Sequence, residues 1–138
     1  MNWRTDFYEL EPGASAETLA RLRAALPAQL PERYFELLAF ANGGEWPMRA
    51  PPFRFSLSPA EWIAGIYEAD HWKPNPNNEF LKGFVLIGSN GLGETVGFDI
   101  RGREPWPVVL IDMGAEEEAE RVMLMAQSFD EFFEMLGN

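Results

Sequence analysis

A chain of 138 residues forms one domain, 1–138, large enough to bury roughly two-thirds of its unfolded surface. With 46% hydrophobic and 14% aromatic residues it can fill a core, and with no cysteine it excludes disulfides and thiolate chemistry, which suits a reducing compartment. A net charge of -11 disfavours nucleic acid and anionic membrane surfaces and favours a basic partner, because phosphate-rich ligands reward clustered Lys and Arg.

The N-terminal MNWRTDFYEL lacks the apolar stretch of a signal peptide, and no apolar run approaches the ~20 residues of a membrane-spanning helix. The expectation is a cytoplasmic protein. Residues 1–14 read as an irregular arm broken at Pro12-Gly13. Ser15 then caps a helix over Ala16 to Leu26, with Leu19, Leu22 and Leu26 as its apolar stripe. A second helix begins at Pro31, buries Tyr34, Phe35, Leu37, Leu38 and Ala41, and stops at Asn42-Gly43-Gly44. Trp46-Pro47 to Pro51-Pro52 reads as a proline-rich loop. Phe53, Phe55 and Leu57 alternate with Arg54 and Ser56, the pattern of a short strand. Ser58-Pro59-Ala60-Glu61 reads as a capping box that opens a helix to about Ala69, with Trp62, Ile63 and Ile66 inward. His71 to Asn78 is a loop.

The stretch from Val85 to Met113 carries the most information. Val85 to Ile87 is apolar, Gly88-Ser89-Asn90-Gly91 supplies turn chemistry, and Val96, Phe98 and Ile100 alternate with Thr95, Gly97 and Asp99. A phosphate cradle needs a helix starting after the glycines, but here a strand follows. The spacing Gly91-x-Gly93-x-x-x-Gly97 also misses the dinucleotide fingerprint by one residue. A hairpin with close backbone packing at Gly97 is the reading adopted. Pro107 to Asp112 makes a further, mostly apolar strand. The segment Glu116 to Gln127 reads two ways: a helix, or an acidic loop followed by a short strand Val122 to Met125. Ser128-Phe129-Asp130-Glu131 is a capping box opening a last helix that packs Phe129, Phe132, Phe133 and Leu136 and ends at Gly137.

Few residues suit catalysis. His71 is the sole histidine, so a His/Cys zinc site is excluded. No serine sits in a nucleophile elbow, and Glu116-Glu117-Glu118 does not match a calcium loop. Asp99 and Asp112 read as strand-end residues that bond turns. No cofactor is expected. Partner-binding candidates are of two kinds. From Asp112 to Asn138 eight acids face one base, Arg121, and Glu116, Glu117, Glu118 and Glu120 are nominated as an acidic patch. Trp46, Trp72 and Trp106 sit beside prolines in expected loops, either as lids on the core or as interface anchors.

Five motifs in order carry a family resemblance: LPERYFELLAFANGGEW (30–46), FSLSPAEW (55–62), FVLIGSNGLGETVGFDIRG (84–102), PVVLIDM (107–113) and MAQSFDEFFEML (125–136). Together they resemble the SUKH superfamily, in the Smi/Knr branch named after a yeast cell-wall assembly regulator. The resemblance spans residues from about 15 to 136. It implies an α+β fold, a mostly antiparallel sheet with about four helices packed against it, and favours the strand reading of Val122 to Met125. It implies a non-enzymatic protein-binding module. Bacterial members are associated with immunity against toxins, many of them nucleases, and eukaryotic members act as regulatory interaction proteins. The expected partner is therefore a basic toxin domain whose active site is occluded, or, on the alternative reading, a cellular protein bound by a regulatory scaffold. Asn42, Gly43, Gly88, Gly97 and Asp99 are similar to the family's recurrent positions. The glycines and Asn42 are read as fold-defining.

Overall fold

The computed structural model describes residues 3–69, 80–112, 114 and 121–137. In chain order the elements are β1 (Glu9–Leu10), α1 (Ala16–Ala25), α2 (Glu32–Phe40), β2 (Gly44–Pro47), β3 (Arg54–Leu57), α3 (Ala60–Glu68), a 3-10 turn (Phe80–Gly83), β4 (Phe84–Ser89), β5 (Thr95–Asp99), β6 (Val108–Ile111), β7 (Val122–Ala126) and α4 (Phe129–Glu134). Among the described residues these four helices and the seven-stranded antiparallel sheet make an α+β fold. Strand order in the sheet is chain order, β1 to β7, so no connection crosses another. Among the described residues no helix is long and apolar enough to cross a membrane.

Alternation along the strands sorts side chains between two faces. Val85, Ile87, Val96, Phe98 and Leu110 point to the helices and join the main core with Leu22, Tyr34, Leu38, Ile63 and the α4 phenylalanines. Phe84, Val109 and Ile111 form a smaller cluster on the other face, with Leu86 and Val122 against it. The aromatic part of the core is tightly interlocked. Phe129 lies 5.5 Å from Phe98 and 6.2 Å from Tyr34, while Phe132 meets Phe55 edge-on at 5.0 Å.

Several local expectations hold. Ser15 and Ser128 accept hydrogen bonds from the amides of Thr18 and Glu131, which satisfies donors that a helix start leaves free. Val122–Ala126 is a strand, paired with β6 through a bulge at Val108/Val109. Gly97 faces the backbone of β4 so closely that a Cβ there would sit 2.7 Å from the Val85 carbonyl oxygen.

Four expectations are corrected. The N-terminal arm is not wholly irregular, because Glu9 and Leu10 pair with Glu45 and Gly44. Trp46 lies in strand β2 and not in a loop, paired with Phe55 of β3. Ser58 does not cap α3. The amide of Ala60 donates instead to Asn42 Oδ1 at 2.7 Å, and Asn42 Nδ2 donates to Glu61 Oε1 at 2.5 Å. A side chain just past α2 thus caps α3, which explains Asn42 as a fold-defining residue. Finally, Trp62 is 70% exposed and does not face the core.

Candidate protein-docking groove

The glycine turn between β4 and β5 is closed to anions by its own side chains. Asn90, nearly buried, accepts from the amides of Leu92 (2.8 Å) and Glu94 (3.2 Å) and donates to the Glu94 carboxylate. Ser89 Oγ accepts from the Gly91 amide. The donors a phosphate would need are already engaged. Asp99 accepts two bonds from the Arg101 guanidinium at 2.9 Å and one from its amide, and the guanidinium beside it holds its carboxyl below the usual range. Asp112 accepts from the Gly114 amide. Both aspartates bond turns, as expected. Among the described residues no group of three or more His, Cys, Asp or Glu is placed to hold a metal ion.

Of the residues nominated for partner binding, Glu116, Glu117, Glu118, Glu120 and Trp72 lie outside the described residues, as does His71. Trp46 is corrected from interface anchor to core residue: it is 0% exposed, stacks on Phe55, and its indole N–H donates to the Trp3 carbonyl at 2.7 Å. Trp106 is half-buried, with its indole N–H donating to the Gly102 carbonyl at 3.2 Å.

Trp106 lines a groove of about 880 Å³ built from three distant parts of the chain. The α1–α2 connection supplies Gln29, Leu30 and Pro31, the β5–β6 loop supplies Pro105 and Trp106, and the start of α4 supplies Ser128 and Phe129, so that apolar and polar surface share the lining. Its charged lining is one cation, Arg23, against three carboxylates, Glu32, Glu104 and Asp130. Arg23 donates to both oxygens of Glu32 at 2.7 and 3.0 Å, and this bond holds the Glu32 carboxyl below its ordinary value. Asp130 lies 3.3 Å from Arg33. Glu104 has no hydrogen bond or ion pair among the described residues. A mixed apolar and polar lining with carboxylates in excess has the composition of a protein interface.

A second apolar feature escaped the sequence reading. Exposed Trp62 stands beside Gly65 and Ile66 over a shallow hollow of about 320 Å³. The signal was available: Ala60, Ile63, Ala64 and Tyr67 follow the i, i+3, i+4, i+7 spacing of a buried stripe, and Trp62 falls outside it.

The site thus combines a glycine turn closed by its own side chains with an open groove that carries more carboxylates than cations. The chain belongs to the SMI1 / KNR4 family (SUKH-1), whose model matches residues 13–135. Domains of this family are commonly immunity-type protein-binding domains and generally non-enzymatic. No curated protein matches the chain.

Proposed function

We propose that this protein is a cytoplasmic, non-enzymatic immunity protein that binds a basic toxin domain and neutralises it by covering its active site. The observation that carries the reading is the Trp106 groove, which combines Leu30, Pro31, Trp106 and Phe129 with three carboxylates against one paired cation. It lies on a chain of net charge -11, so long-range attraction and local complementarity act in the same direction. The acidic run Glu116, Glu117, Glu118 and Glu120 adds to the negative charge that would attract such a toxin. Half-buried Trp106 supplies an anchor of the kind that dominates interface energies, while the rim charges govern encounter rate.

The test is capture from the native host at low salt by the tagged protein, beside a Glu104→Lys/Asp130→Lys variant. A stoichiometric basic protein that elutes as salt rises, is lost on the variant, and kills cells lacking this protein supports the reading. A neutral partner that harms no cell would replace it with a regulatory scaffold. Lys substitution at the four glutamates 116, 117, 118 and 120 is expected to slow association; unchanged rates would remove that run from the interface.

A further inference from the structure

Four arginines of this protein share one arrangement. The Arg23 guanidinium sits 3.8 Å from the Phe35 ring centre and bonds Glu32. Arg33 sits 5.3 Å from Phe133 and pairs with Asp130. Arg54 lies 4.9 Å from Tyr8 and pairs with Glu45 at 2.9 Å. Arg101 lies 4.8 Å from Phe84 and pairs with Asp99 at 2.9 Å. Each guanidinium thus takes an aromatic face and a carboxylate at once, the pairing its flat fork and weak hydration favour.

Trp106 and Glu104 repeat two parts of that arrangement on one wall of the groove. The ring is held by its bond to Gly102, and Trp offers the strongest cation-binding face of the three aromatic side chains. Yet among the described residues no cation lies over Trp106, and Glu104 is unpaired. Across the groove Arg23 already belongs to Glu32 and Phe35 and does not compete for this wall.

We infer that the Trp106–Glu104 wall is a receptor for an arginine side chain of the partner, whose guanidinium stacks on the indole and pairs with the Glu104 carboxylate. The inference rests on the docking reading above and deepens it, naming the chemistry of the partner's anchor. Asp130, half engaged by Arg33, adds negative potential at the same mouth. Trp62, although more exposed, is not a second such site, because the neighbouring Glu61 carboxylate is taken by Asn42.

The test follows the tryptophan indole N–H signals of the intact protein by NMR while blocked glycine-flanked tripeptides carrying arginine, citrulline or lysine are added. The Trp106 signal is identified by its loss in Trp106→Phe. The arginine peptide is expected to shift it saturably and leave the Trp62 signal in place. Citrulline, equally flat but neutral, is expected to bind roughly tenfold more weakly, and Glu104→Gln to weaken the arginine peptide by a similar factor with the amide spectrum otherwise retained. No shift of Trp106 at roughly 10 mM arginine peptide, or an equal response to citrulline or lysine, or no effect of Glu104→Gln, overturns the inference. Those outcomes leave the docking groove standing. The groove itself fails separately, if the Glu104→Lys/Asp130→Lys variant still captures the toxin.

Discussion

The hydroxyl of Tyr67 takes the place of a strand beside Leu86. β3 pairs with β4 only at Ser89 and Gly88, and the amide of Leu86, beyond that pairing, donates to Tyr67 Oη at 2.9 Å. The same hydroxyl reaches the Phe84 carbonyl at 3.5 Å. Helix α3 thereby covers the part of β4 that β3 leaves unpaired, on the strand that contributes Phe84 to the second apolar cluster.

Tyr67→Phe keeps the ring and removes this bond, leaving the part-buried Leu86 amide without its partner. The expected loss is about 1–2 kcal/mol in urea unfolding, with faster hydrogen exchange at Leu86 than at the β5-paired amides of β4. A variant as stable as the parent, with Leu86 still protected, would show that water replaces the hydroxyl.

High pH should unfold the protein through its buried phenols. Burial raises the ionisation of both Tyr34 and Tyr67 above the ordinary value, and for Tyr34 nearby Tyr67 adds to the effect. Below pH about 10 both phenols are neutral whether the chain is folded or not. Above it the unfolded chain ionises first, so stability falls as pH rises towards the folded values. Tyr34 Oη is also fully buried without a partner among the described residues. Tyr34→Phe should therefore match or exceed the parent by up to ~1 kcal/mol at neutral pH, and should lose less above pH about 10. Urea midpoints at the two pH values decide it.

Asn42 should behave as a helix cap although it lies 18 residues from Ala60. Asn42→Ala is expected to cost about 1–2 kcal/mol. Its amide is also the main reason the Glu61 carboxyl is held below its ordinary range. That contribution is present above the unfolded pKa of about 4.3 and is lost as pH falls through the lower folded value. The gap between parent and variant should consequently narrow in acid, as read by thermal unfolding across pH 2–6, roughly the carboxylate range.

Gly97→Ala should be far more damaging than Gly102→Ala. At 97 a Cβ would lie 2.7 Å from the Val85 carbonyl oxygen, which belongs to the neighbouring strand and cannot rotate away. At 102 nothing lies within 4 Å. A loss of about 1–3 kcal/mol is expected for the first and little for the second.

How far these features were legible depends on the distance over which their causes act. Ser15, Ser128 and the alternation of Val96 and Phe98 act within a few residues, and each was readable. The closed hairpin at Gly88 to Gly91 was readable too, because a strand and not a helix follows it. The cap of α3 was misread because Ser58 and Glu61 make a plausible local box, while Asn42 reaches it only after α2 and β3 have folded together. Trp46 was placed in a loop because prolines follow it; its pairing with Phe55 depends on how the hairpin closes. Trp62 was misassigned by counting apolar residues where their spacing pointed outward. The groove around Trp106 was only half visible. The tryptophan is readable as a partner candidate, but Leu30 and Phe129 belong to segments that only the fold brings to it.

That convergence has a thermodynamic consequence. Because the walls come from the α1–α2 connection, the β5–β6 loop and the start of α4, the groove does not exist in the unfolded chain. Anything that fills it must hold these three segments in register, so occupancy and folding are linked: a ligand at a hundred times its Kd would add about 2.7 kcal/mol to the stability of the domain. The melting temperature of this protein should therefore rise with the concentration of its true partner, and a partner bound to some other surface by loose charge attraction alone would move it far less.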